Sequence, residues 1–71
     1  MTTTPATALA NQITRAKGIL CDYRALGKQG SFMAAFITTD IKTAVTALNS
    51  GDWIEMARAG DVLAALREVG Q

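Results

Sequence analysis

Few residues in this chain are able to do chemistry, and their types and spacing restrict what that chemistry could be. There is one cysteine, Cys21, and no histidine. Without imidazole, the commonest general base and the commonest metal ligand are both missing. A structural zinc site, which needs about four Cys or His ligands, cannot be assembled, and neither can an intramolecular disulfide. The carboxylates Asp22, Asp40, Asp52, Glu55, Asp61 and Glu68 are dispersed along the chain, and none has the spacing of a shared proton or a cation site. Ser31 and the threonines have no base to activate them. Cys21 precedes Asp22, whose charge disfavours a thiolate, so it reads as a buried or half-buried structural cysteine. Gly27-Lys28-Gln29-Gly30-Ser31 has the look of a phosphate loop ahead of a helix, but it lacks the G-x-x-x-x-G-K-[ST] pattern and a preceding strand. The expectation is a chain with no catalytic residue, no cofactor site and no metal site, which acts by binding.

The elements that must position its side chains are helices. Thr4 is a good N-cap and Pro5 suits the first helical position. Leu9, Ile13, Ala16, Leu20, Tyr23 and Gly27 then step by four and three along one stripe, which Ile19 and Leu26 widen. This predicts a helix closing at Gly27, about 22 residues and roughly 33 Å long. After a short connection through Lys28, Gln29 and Gly30, Ser31 is expected to cap a second helix running to about Asn49, with Ile37, Ile41, Ala44, Val45 and Leu48 at helical spacing. Gly51 ends it. Asp52-Trp53-Ile54-Glu55 fits a capping box in which Asp52 accepts from first-turn amides and Glu55 reaches back. A third helix follows, with Met56, Ala59, Leu63 and Leu66 as its core stripe, Val62 and Val69 beside it, and Gly70 as its end. The fold class is therefore all-α: a long N-terminal helix followed by an antiparallel hairpin, in a single domain over residues 1–71. Residues 1–3 and 71 are expected to be disordered.

Size and composition say what such a domain needs. The chain has 71 residues, 49% of them hydrophobic and 18% charged, with a net charge of +1. It is too apolar for intrinsic disorder, yet a domain this small buries only about 60% of the surface its unfolded chain exposes. With disulfide and zinc unavailable to it, a second copy is the expected support. The longest apolar stretches fall short of the ~20 residues that span a bilayer. The N-terminal Met1-Thr2-Thr3-Thr4-Pro5 has neither the basic head nor the apolar run of a signal peptide, so cytoplasmic residence is expected. The near-neutral charge argues against nucleic acid or anionic lipid as the main partner.

Aromatic and sulfur side chains supply the positive signal. Phe32, Met33 and Phe36 on the second helix, with Trp53 and Met56 on the third, exceed what one side of each helix can bury within the chain. Such residues are enriched where interfaces gain their energy. Phe32, Met33, Phe36 and Trp53 are the candidate protein-interface residues, with Arg24 and Lys28 as a polar rim, and the first two helices are expected to pair with their counterparts in a symmetric homodimer. The competing reading is a small DNA-binding transcriptional regulator. Lys17, Arg24 and Lys28 fall within roughly 40° of one another on a continuous first helix at 100° per residue. A recognition helix after Gly51, however, would present Trp53, Glu55, Arg58 and Asp61, and phosphate repels two of these four.

The segment Asp22-Tyr23-Arg24-Ala25-Leu26-Gly27-x-x-Gly30-x-Phe32, continuing through a helix to Ser50-Gly51-Asp52 and a short final helix, resembles small proteins encoded by Mu-like and related temperate phages of Pseudomonas. The resemblance covers residues 20–66 and rests on glycine positions and general pattern, so no site residue is carried over from it. It implies a phage-encoded, non-enzymatic inhibitor working in the host cytoplasm, an anti-activator that binds and blocks a host regulatory protein such as a quorum-sensing transcription activator.

Overall fold

Local signals act where the chain places them. In a computed structural model, which describes residues 4–66, helix α1 runs over Pro5–Ala25, α2 over Ser31–Ser50 and α3 over Trp53–Ala64, with a 3-10 turn at Gly27–Gly30 between the first two. Thr4 caps α1, its Oγ1 accepting from the Thr7 amide at 3.1 Å, and Pro5 stands at the first turn. Asp52 caps α3, its Oδ1 accepting from the amides of Ile54 at 3.0 Å and Glu55 at 3.4 Å. Gly51 closes α2 with a φ of 74°, a left-handed conformation that costs an L side chain dearly.

Several expected details come out differently. Helix α1 ends at Ala25, and Gly27, at φ 66°, turns the chain into the 3-10 segment. Lys28 therefore leaves the register of α1, and the basic edge predicted for Lys17, Arg24 and Lys28 is broken. Ser31 is the first residue of α2 and not its cap. Gly30 holds the cap position with helical backbone angles, and Ser31 Oγ donates to the Lys28 carbonyl at 3.0 Å. Because the 3-10 turn runs straight into α2, the start of α2 needs no side-chain acceptor. The capping box is half formed. Instead of Glu55, Ser50 Oγ takes the Asp52 amide at 3.1 Å, while Glu55 lies 3.9 Å from Arg58. Helix α3 stops at Ala64 instead of continuing through Leu66, the Ala65 and Leu66 amides tightening back on Val62 and Leu63. Its predicted end at Gly70, the placement of Val69 and the disorder predicted for residues 1–3 and 71 fall outside the described residues.

The three helices all pack on one another. Met33 and Phe36 near the start of α2 share a furrow with Val62 and Leu66 near the end of α3, so these two run antiparallel. Pro5 and Leu9 lie with Trp53 and Met56, so α1 and α3 run parallel. The core is Leu9, Ile13, Ala16, Ile19 and Leu20 from α1, Ala34, Ile37, Ile41, Ala44 and Ala47 from α2, and Met56, Ala59, Leu63 and Leu66. No polar or charged residue is buried among the described residues. Leu26, Val45 and Val62, placed on or beside the core stripes from spacing, are exposed. Ala47 is buried and Val45 is not: the two lie about 160° apart around α2, and the face that packs carries Ile37, Ala44 and Ala47.

Candidate interaction surface

Phe32 and Phe36 stand on successive turns of α2, 79% and 55% exposed. At 100° per residue they lie on the side of α2 turned away from Ile37 and Ile41. Met33 is half-buried between that face and the core. Trp53 is also largely exposed, at 65%, but the fold sets it apart from the two phenylalanines. It opens α3 beside the N-terminal end of α1, lining a shallow groove of about 460 Å³ with Ala8, Gln12 and Gly60. Phe32 sits at the opposite end of α2, which is about 30 Å long at 1.5 Å per residue. The expected aromatic cluster is therefore two separate patches. Arg24, in the last turn of α1, and Lys28, in the 3-10 turn, are exposed at the same corner as Leu26 and Phe32.

The corner itself is held by a close approach. A Cβ on Gly30 would collide with the Tyr23 carbonyl oxygen and stand 3.1 Å from Leu26 Cβ. Only glycine lets α2 start so near the end of α1, which fixes where Phe32 and Phe36 project.

A furrow follows the side of α2 that faces α3. Its wide end, about 550 Å³, is walled by Tyr23, Met33, Phe36, Val62 and Leu66, with Asp40 as its one acidic residue among the described residues. It narrows past Asp40 and Val62 between Thr43, Ala47 and Ala59, where Glu55 and Arg58 stand on α3. A separate depression lies on the outer side of α2, along Thr39, Lys42, Thr46 and Ser50. One carboxylate oxygen of Asp40 is shut off from solvent with no hydrogen-bond partner among the described residues. Burial accordingly raises the Asp40 carboxyl above its ordinary value. The hydroxyls of Thr39, Thr43 and Thr46 each donate to the carbonyl four residues earlier, so these threonines present methyl groups, and Lys42 is the donor along the outer depression.

Arg15 was not singled out by any sequence signal. Its guanidinium reaches from α1 to the end of α3, donating to the carbonyls of Leu63 at 3.0 Å and Leu66 at 2.7 Å. It caps the negative end of that helix and holds one wall of the furrow. An arginine flanking an apolar stripe is an ordinary sight, and only the packing of α3 on α1 reveals its target.

Cys21 is exposed, against the expectation of a structural, buried thiol. One step of 100° carries it from Leu20, at the edge of the core, to the outer face of α1. Among the described residues no group of three His, Cys, Asp or Glu side chains could hold a metal ion, and no helix is long and apolar enough to cross a membrane. Compared with protein-family models, with curated proteins and with solved structures, the chain finds no match.

Proposed function

We propose that this chain is a non-enzymatic protein-binding module whose anchor is the aromatic end of α2. The observation that carries the reading is the exposure of Phe32 and Phe36 on consecutive turns, beside an apolar furrow. Leaving two phenylalanines in water forfeits about 1.5–3 kcal/mol each relative to burial. A neighbouring protein surface recovers it. Self-association through α1 and α2 into a symmetric homodimer belongs to the same reading, since both helices carry exposed faces of small and apolar residues. The biological role we propose is that of a phage-encoded inhibitor, resident in the host cytoplasm, that occupies a regulatory protein such as a quorum-sensing transcription activator.

The alternative, a small DNA-binding regulator, has to place exposed Glu55 and Asp61 of α3 against phosphate, with Arg58 already drawn to Glu55. Light scattering and a pull-down against host lysate test the proposal together. The expected outcome is a mass of two chains at micromolar concentration and capture of a specific protein that is lost in Phe36→Asp while the helical signal persists. A monomer that captures the same proteins with and without Phe36, or that binds duplex DNA with a steep salt dependence, overturns it.

A further inference from the structure

The furrow between α2 and α3 carries more information than its apolar anchor, because its walls restrict what can fill it. Its walls are helix apart from Ala65 and Leu66 just beyond α3, so among the described residues it offers no sheet edge, and an occupant must satisfy its own backbone hydrogen bonds. From Met33 to Ala47 the furrow follows α2 for about 22 Å at 1.5 Å per residue, the length of a four-turn helix. The Thr43 hydroxyl is spent on its own helix, and among the described residues the ionisable side chains at the wide end are Tyr23 and Asp40. Arg58 stands further along on α3, where its ion-pair contact is with Glu55 at 3.9 Å. The wide end therefore pairs an apolar basin with a half-buried carboxylate, one oxygen of which is shielded and has no donor among the described residues, which leaves the other oxygen to face an occupant. A cationic group meets that carboxylate and a large apolar side chain meets the basin.

We propose that this furrow is the docking site for an amphipathic helix of another protein, which seats a large apolar side chain among Met33, Phe36 and Val62 and, one turn along, a lysine or arginine on the Asp40 carboxylate. The inference rests on the binding-module reading above and names its partner by chemistry. Asp40 lies one turn from Phe36 on α2, so an apolar and a basic residue spaced three or four apart on the incoming helix face the two features at once. Asp40 is a selectivity element: unpaired it tolerates few partners, and paired it rewards one.

The test uses the full chain and two labelled 18-residue helical peptides, alike in apolar stripe and differing by arginine or glutamine one turn from the central apolar anchor. Fluorescence anisotropy measures both against the wild type and Asp40→Asn, whose fold is checked by circular dichroism. The arginine peptide is expected to bind the wild type about tenfold tighter than the glutamine peptide, a difference of about 1.4 kcal/mol. That preference disappears in Asp40→Asn and shrinks in high salt, and Met33→Gln weakens both peptides alike. Equal binding of the two peptides to wild type and variant overturns the charge selection while leaving the binding-module reading intact. If neither peptide binds and the chain is a dimer whose Asp40 carboxyl resonance moves on dilution, a second copy fills the furrow and the proposal falls. If neither binds and the chain neither self-associates nor captures a protein, the binding-module reading falls with it.

Discussion

Replacing Arg15 with methionine keeps the aliphatic stem packed while removing the two hydrogen bonds to the end of α3. Both bonds are short, 3.0 Å to Leu63 O and 2.7 Å to Leu66 O, and a hydrogen bond to a charged group contributes about 1.5–3 kcal/mol net. The two losses do not simply add. Leu63 O also accepts from the Leu66 amide at 3.1 Å, and a carbonyl freed at a helix end can turn to water. A total of about 2 kcal/mol is expected, including the lost favourable charge at the helix C-terminus. For a domain of this size 1 kcal/mol moves Tm by roughly 4–8 °C, so thermal unfolding should fall by about 8–16 °C. Hydrogen exchange should quicken selectively at the Ala65 and Leu66 amides, because the last turn of α3 frays before the bundle opens. Arg15→Lys should fall between, since an ammonium lacks the planar fork that spans two carbonyls. A methionine variant melting within about 2 °C of the wild type, with unchanged exchange at those two amides, would refute the claim that Arg15 holds this end of the bundle.

Other perturbations separate architecture from surface. Gly30→Ala drives a Cβ into the Tyr23 carbonyl and should cost at least ~2 kcal/mol as the α1–α2 corner opens, whereas Gly18→Ala, with nothing within 4 Å of the new methyl group, should stabilise by up to ~1 kcal/mol; denaturant midpoints of the two variants check both signs. Phe32→Ser removes a side chain that is 79% exposed and should cost only ~0.5 kcal/mol while reducing association by light scattering, but Leu63→Ala, at a position with no exposure, should cost ~2–5 kcal/mol. Burial raises the Asp40 carboxyl, so its favourable contribution is complete below the ordinary carboxylate range and is lost as pH rises through the raised value. Asp40→Asn should therefore melt above the wild type at neutral pH, with the gap closing as acid protonates Asp40; parallel melts from acid to neutral pH check the direction, and a gap independent of pH refutes it.

What the sequence determined by itself is local in origin. Helix starts at Thr4-Pro5 and Asp52, the stop at Gly51 and the stripes through Leu9 to Leu20 and Met56 to Leu66 follow from capping chemistry and the 3.6-residue period, which act within a few positions of one another. That Phe32 and Phe36 exceed what α2 can bury was legible in the same way, from the number of apolar residues around one helix.

Tertiary structure decided everything that depends on two segments meeting. The sequence could not say that Trp53 is separated from the phenylalanines by the length of α2, that Ala47 and not Val45 enters the core, or that Ser50 rather than Glu55 completes the cap. Nor could it aim Arg15 at carbonyls 48 and 51 residues away, or set Asp40 in a furrow built from α2 and α3. The physical reason is that periodicity specifies which face of a helix is apolar. How closely that face approaches its neighbour, and which polar groups the approach leaves bonded or bare, is set by side-chain volumes on the opposing helices.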